Sequence, residues 1–386
     1  MSQDLLRNEH HIKRGMEELV VDTTSISWVD GHNGRLYYRG LDIAELAAHS
    51  TFEECAYLLM CGSLPHKKSL DAFVWKLRQV AQTPEKVLRI IQELPRTSHP
   101  LFALQTALAA LGCIDPGQKF SEEESLLEKA LRIVAQTPVI LAASYRHHLG
   151  MPIINPREDL THAENFMFML SGKIPTKRQA RCMELAFILQ MDHGFNSSTF
   201  TARAVASTLT NMYASTSAAV GALSGPLHGG ASEQVIEMIK DAREHGDIGE
   251  YVCNVLLNKG KLMGMGHRVY KNVDPRARIF EDLLEQLTPK NDPHSDLVLL
   301  RKIEHAARRV FEADGKPIFV NVDFWSGSVY AKLGIQPILY PAIFAAARIV
   351  GWTAHIIELR QNNRLYRPKS LYIGEVDVPY VPLDRR

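Results

Sequence analysis

Cysteine is scarce and scattered. The five residues Cys55, Cys61, Cys113, Cys182 and Cys253 are odd in number and form no CxxC pair. That argues against a disulfide framework or a zinc ribbon and suits a reducing compartment. Charge of one sign is missing too. The formal net charge is +1, so no global field recruits nucleic acid or an anionic membrane, and any anion recognition must be local. The opening MSQDLLRNEHHIKRG has no apolar stretch of the kind a secretory signal needs. The longest apolar run, residues 338–357, is broken by Pro341, Arg348 and His355. It is predicted to be a buried helix, not a membrane span. The chain has no GxSxG elbow, no Walker loop, no HExxH and no fixed-period repeat. GMGHRV lacks the third glycine and the preceding strand of a dinucleotide fingerprint. The expectation is a soluble, cytoplasmic protein.

What is present is ordinary in bulk. With 386 residues, 46% hydrophobic and 23% charged, the chain can bury a substantial core in one large or two medium domains. Only the beginning reads as β structure: TTSISWVDGHNGRLYYRG alternates around Asp30-Gly31 and Asn33-Gly34, a small hairpin. From Leu41 onward the pattern is helix after helix, with examples at 69–81, 122–135, 177–191, 232–244 and 295–312. The predicted class is all-α. STLTNMYASTSAAVGALSG, rich in small residues, reads as a central packing or subunit-contact helix. Breaks are expected at GPLHGG and near Gly327, with a hinged, mobile portion between them.

Four candidate residues sit at element ends. They are His193 in MDHGFN, His228 in GPLHGG, His267 in GMGH and Asp323 after the apolar PIFVNV. Glycines beside the histidines permit close backbone approach to a ligand. Asp323 has two readings: a base made stronger by desolvation, or the N-cap of the helix DFWSGSVYAKL. His10, His11, His147 and His148 read as surface or loop residues.

Arginines supply the complement. In GMGHRVYKNVDPRARIF, Asp274 reads as an N-cap and Pro275 as the first helical residue. Yet the first turn carries Arg276 and Arg278 at the positive end of the helix, so an anion is expected among them. Arg348 is the only permanent charge in AIFAAARIVGWTAHII, with no acidic residue three or four positions away. Its partner is distant in sequence, or a bound anion. Arg276, Arg348 and Arg367 in RLYRPKS would suit a small di- or tricarboxylate gripped by guanidinium forks. Two histidines and a carboxylate also fit a facial triad for non-haem iron, and a catalytically silent helical scaffold is the blandest reading.

MDHGFNSSTFTAR, GPLHGGA, MGMGHRVYKNVDPRA, NVDFWSG and RPKS, in this order, resemble the motifs of citrate synthases. The resemblance runs from YYRG to the C-terminus. It implies an all-α homodimer with a large and a small domain: 1–226 and 332–386 in the large one, the latter with an arm reaching the partner, and 227–331 in the small mobile one. It implies His228, His267 and Asp323 as the catalytic three. His193, Arg276 and Arg348 would hold oxaloacetate, with Arg367 reaching in from the other subunit. The backbone of Lys261, Leu262, Met263, Gly264 and Met265 would take the adenine end of coenzyme A. Lys259, Arg268 and Lys271 are phosphate candidates by charge and proximity alone, and Arg278 has no role assigned. The implied activity is that of an acyltransferase condensing acetyl-CoA with oxaloacetate to give citrate, the entry to the tricarboxylic acid cycle, with no metal or redox cofactor. The sequence resembles the compact bacterial and archaeal type, for which regulation by NADH is not implied. The 2-methylcitrate synthases, which use propionyl-CoA, share nearly every motif.

Overall fold

The computed structural model describes residues 12–16, 19–115 and 125–386. Its only sheet among them is a three-stranded antiparallel one, β1 (Ser27–Asp30), β2 (Arg35–Tyr38) and β3 (Leu41–Asp42), with β2 central. Asp30 pairs with Arg35, which leaves residues 31–34 as the turn. Alternation along β2 buries Leu36 and Tyr38, as period-two patterning requires.

Helices follow. They are α1 (Ile43–His49), α2 (Phe52–Cys61), α3 (Lys67–Gln79), α4 (Glu85–Glu93), α5 (Pro100–Ile114) and α6 (Leu126–His148). Then come α7 (His162–Ser171), α8 (Lys177–Gln190), α9 (Ser197–Ala206), α10 (Met212–Leu223) and α11 (Ala231–His245). The last are α12 (Ile248–Leu257), α13 (Pro275–Leu287), α14 (Asp296–Ala313), α15 (Asp323–Lys332) and α16 (Tyr340–Gln361). Local chemistry starts and stops them. Reciprocal capping boxes at Thr51/Glu54, Thr161/Glu164 and Thr176/Gln179 open α2, α7 and α8. Left-handed Gly62 and Gly172 close α2 and α7.

The core is built around α16. Ile343, Ala346, Val350, Trp352 and Ile356 are fully buried, and the helix packs on α2, α6, α8, α9 and α10. Among the described residues, the one helix long and apolar enough to cross a membrane is this one with its preceding turn, Pro337–Gln361, and most of its apolar window is buried in the protein. α10 lies against α5 and α9. A Cβ on Gly112 would stand 3.0 Å from Tyr213 Cβ, so the small residues do permit close helix approach.

Several expectations are corrected. No break occurs at Gly327, because α15 runs through it. Gly327 is the point where α15 passes α11; a Cβ there would stand 3.1 Å from the Ser232 carbonyl oxygen. His147 and His148 end α6 half-buried and tie it down, bonding the carbonyls of Leu94 (2.8 Å) and Arg96 (2.6 Å). His10, His11 and the first residues of the helix expected at 122–135 lie outside the described residues. The chain forms two compact units: Thr24–Arg364, and a terminal one of Met1–Thr23 with Leu365–Arg386. Within the terminal unit the Tyr366 hydroxyl donates to Asp22 at 3.0 Å.

One contact under α16 is tight enough to test. A Cβ on Gly351 would fall inside the Met191 carbonyl oxygen and at 2.5 Å from Asp192 Oδ1. Gly351→Ala is expected to destabilise the fold by about 1–3 kcal/mol. Urea unfolding should show a lower midpoint with the slope unchanged. An unaltered midpoint would mean that the two elements part freely here.

Candidate active site

The site begins with two loops zipped together. Met265 forms an antiparallel bridge with Val320. Gly266 N–H donates to the Phe319 carbonyl (2.7 Å) and Asn321 N–H to the Gly264 carbonyl (2.9 Å). Gly264 has φ +76, and a Cβ there would stand 2.6 Å from Phe324 Cα, so only glycine fits. The Asn321 side chain completes the join, donating to the Gly266 carbonyl (2.8 Å) and accepting from Asp323 N–H (2.9 Å). His267 and Asp323 each follow this joint directly.

Asp323 is the first residue of α15 and does not cap it; its own amide is capped by Asn321. The N-cap reading is therefore overturned. Among the described residues none hydrogen-bonds its carboxylate. Burial pushes its pKa up to about 6, against the pull of Arg276 and Arg348. At neutral pH it is an ionised, poorly solvated base.

The histidines are held neutral and in defined tautomers. His267 Nδ1 accepts from the amides of Val269 (3.0 Å) and Tyr270 (3.1 Å), which assigns its proton to Nε2. His228 Nε2 faces Ser198 N–H (3.3 Å) and Ser198 Oγ (2.8 Å), which assigns its proton to Nδ1. Trp352 Nε1 donates to that same Oγ at 3.1 Å. Burial, helped by Arg276 for His267 and Arg348 for His228, pushes both rings down to about 4. His193 is buried at the end of α8, its Nε2 3.2 Å from the Tyr270 hydroxyl and its ring 5.2 Å from that of His267. Burial, then Arg276, holds it well below the usual imidazole range.

The arginines divide. Arg276 is 2% exposed and makes a fork to Asp274, Nε to Oδ1 at 3.0 Å and Nη2 to Oδ2 at 2.7 Å. The N-cap thus supplies an anion beside the first-turn cation, and Arg276 Nη1 is left outside this fork. Arg278 pairs with Glu281 and Glu304, both at 2.7 Å. Arg348 differs. It is 1% exposed, donates to the Gln190 carbonyl (2.8 Å) and lies 4.7 Å over the Phe344 ring. Among the described residues it has no ion pair, and burial pushes its pKa down to about 10. Arg348 and Arg276 both act on His193 and Asp323, and Arg348 also on His228. The structure therefore brings His193, His228, His267, Asp323, Arg276 and Arg348 together.

The remaining residues are placed less tightly. Leu262 and Gly264 are buried, Met263 and Met265 partly so, and Lys259, Lys261, Arg268 and Lys271 are exposed around them. Arg367 belongs to the terminal unit, exposed, with Nη1 donating to the Pro368 carbonyl at 2.7 Å. Sequence reasoning missed Asn321, Ser198, Tyr270 and the buried Asp192, although each lies inside a quoted motif. Asp192 Oδ2 accepts from Ser27 Oγ and His355 Nε2 directly behind His193. No group of three or more His, Cys, Asp or Glu side chains is placed to hold a metal among the described residues.

The family model described as citrate synthase, C-terminal domain, matches residues 15–369. A citrate synthase of Deinococcus radiodurans is 41% identical over 97% of this chain and 99% of its own. A 2-methylcitrate synthase of Shewanella oneidensis is 35% identical over 94% and 95% of the two chains. The structure of a Thermoplasma acidophilum citrate synthase, in ternary complex with carboxymethyl coenzyme A and oxaloacetate, superposes with a TM-score of 0.90. It is 32% identical and covers 97% of this chain and 99% of that one.

The depressed histidines make a pH prediction. Each folded-state pKa, about 4, lies below the 6.5 of an ordinary imidazole. The unfolded chain therefore takes up protons first as pH falls. This contribution to stability is complete above about 6.5 and is lost on descending toward about 4, at most on the order of 3 kcal/mol per ring. Urea midpoints at pH 7 and 4.5 should converge in His228→Gln and in His267→Gln relative to the parent. Equal acid sensitivity in parent and both variants would show that the rings titrate normally.

Proposed function

The chain belongs to the citrate synthase family and is an acyltransferase of that type, and we propose how its atoms condense acetyl-CoA with oxaloacetate and hydrolyse citryl-CoA to citrate and coenzyme A. The observation that carries the reading is Arg348, a buried cation whose only hydrogen bond among the described residues goes to a backbone carbonyl. Beside it stand two neutral donor imidazoles and one ionised carboxylate. A carboxylated ketone supplies the missing counter-charge, and guanidinium forks suit it. Arg276 adds its remaining Nη1, and His193 a further polar contact.

Asp323 takes a proton from the thioester methyl group. His228 Nδ1–H donates to the thioester oxygen as negative charge develops there, which a weak carbon acid requires. The enol carbon attacks the oxaloacetate ketone, whose oxygen receives the His267 Nε2–H bond as it becomes an alkoxide. Water then cleaves citryl-CoA. Residues 261–265 accept the adenine end of coenzyme A through their backbone, with Lys259, Arg268 and Lys271 near its phosphates. The segment 227–331 acts as the small domain, closing over oxaloacetate and excluding water until condensation is complete. No metal or redox cofactor takes part, and the setting is the cytoplasm, at the entry to the tricarboxylic acid cycle. The assembly is a homodimer in which Arg367 serves the partner's site.

Substrate choice is the direct test. With oxaloacetate present and free thiol release followed, acetyl-CoA should give the higher kcat/KM. Propionyl-CoA should still turn over, because one methylene is worth only ~1–3 kcal/mol of discrimination. Chelator should change neither rate. A propionyl-CoA preference would assign the chain to the 2-methylcitrate branch, as the Shewanella relative suggests.

Asp323→Asn should fold, bind oxaloacetate and lose ~10²–10⁴ of kcat. In the parent, kcat/KM for acetyl-CoA should fall below pH about 6, where the carboxylate protonates. Arg367→Ala should be equally silent, yet mixing the two inactive proteins should restore activity. About half of randomly reassembled dimers are mixed, and each would contain one intact site, so about a quarter of parental activity is expected. Verified subunit exchange without recovery would place Arg367 in its own subunit's site.

A further inference from the structure

The loop bearing His267 is fitted to the turn of the β1–β2 hairpin. Lys271 N–H donates to the Gly31 carbonyl at 2.8 Å. A Cβ on Gly31 would penetrate the Val269 carbonyl group, its carbon at 2.9 Å, and one on Gly34 would stand 2.8 Å from the Val273 carbonyl oxygen. Val269 and Val273 flank this contact, and Val269 is also one of the two amides that fix the His267 tautomer. The same peptide segment thus rests against Gly31 on its carbonyl side and holds His267 Nδ1 on its amide side. Tyr270, between them, is buried and reaches His193.

We propose that the β1–β2 turn is the template for the His267 loop, with Gly31 and Gly34 as positioning residues that set the orientation and tautomer of His267 through Val269. The turn makes no contact with substrate in this proposal; it acts through the loop. Gly31 does not have the positive φ that would strain any side chain, so its requirement for glycine comes from the approach of Val269. Gly34, at φ +64, combines both demands. Gly40, at the far end of β2, provides the internal comparison. It has φ +84 but nothing within 4 Å of a Cβ, so alanine there strains the hairpin without touching the loop.

The proposal rests on His267 acting on the ketone, and the test separates the two ideas. Gly31→Ala and Gly40→Ala are compared with the parent by turnover, melting temperature and NMR of ¹⁵N-labelled histidine. Gly31→Ala should lose about 10- to 100-fold in kcat, as a misplacement near 1 Å does. Its KM for acetyl-CoA should stay within about twofold, its melting temperature should match that of Gly40→Ala, and His267 should no longer be a single Nε2–H tautomer. Gly40→Ala should retain parental kcat and the parental His267 spectrum. Equal kcat in Gly31→Ala and parent overturns the template, and so do equal losses in the two variants. If Gly31→Ala does not fold, amide exchange in the parent decides. Lys271 N–H should be protected like the β1–β2 ladder amides, and exchange at the rate of an open loop sinks the idea. A parent with no condensing activity would refute the catalytic reading alone, since the tautomer and exchange results are read without turnover.

Discussion

The bridge between residues 264–266 and 319–321 is the joint on which the proposed chemistry hangs. Proton transfer and hydrogen-bond donation succeed only when donor and acceptor are placed to within tenths of an ångström. His267 and Asp323 are 56 positions apart in sequence, and both leave from this joint. Two backbone bonds and the double contact of Asn321 make it stiff. The absence of a side chain at Gly264 lets the first turn of α15 come close enough. Any residue with a Cβ there would separate base and donor at the same stroke.

Three buried arginines show how the protein distributes charge. Arg203 lies 3.3 Å from Glu358 and 4.5 Å over the Phe195 ring. Arg276 has its fork filled by Asp274. Arg348 is left with a carbonyl and an aromatic face. A buried cation without a carboxylate costs stability, so the fold carries this one at the expense of a better-satisfied core. A ligand that supplies the carboxylate recovers that cost on binding, and such a ligand stabilises the folded state by mass action.

Much of this was legible in the sequence because the signals were local. Helical periodicity found α8, α11 and α14 nearly to their ends, and Asp274-Pro275 marked the start of α13 as observed. His193, His228, His267, Asp323, Arg276 and Arg348 were legible as residues that an amphipathic helix does not explain. What was not legible is set by tertiary contact. The anions beside Arg276 and Arg278 carry no local signal: Asp274 folds back from the cap, and Glu304 arrives from α14. Glycine near a presumed break misled at Gly327, where the residue serves helix packing instead. Asn321 and Ser198 carry no pattern of their own; each matters only through what it bonds.

The electrostatics of the pocket explain why one environment would suit both of the proposed catalytic roles. Desolvation disfavours whichever form is charged. It therefore raises the carboxyl of Asp323 and lowers the imidazoles of His228 and His267. The same dry surroundings make the carboxylate a stronger base and keep the rings as neutral donors, which can strengthen their bonds as an oxyanion grows. A dianionic substrate entering alone would spoil this balance, because its charge would push Asp323 further toward protonation. Arg276 and Arg348 already pull the Asp323 carboxyl downward. With oxaloacetate bound, these guanidinium groups would offset the charge of its carboxylates, so that charge would bear less on Asp323. In the proposed mechanism the arginines would thus serve proton abstraction as well as binding, and a site that kept the histidines and Asp323 but lost either guanidinium would hold its base less firmly ionised and its substrate less tightly.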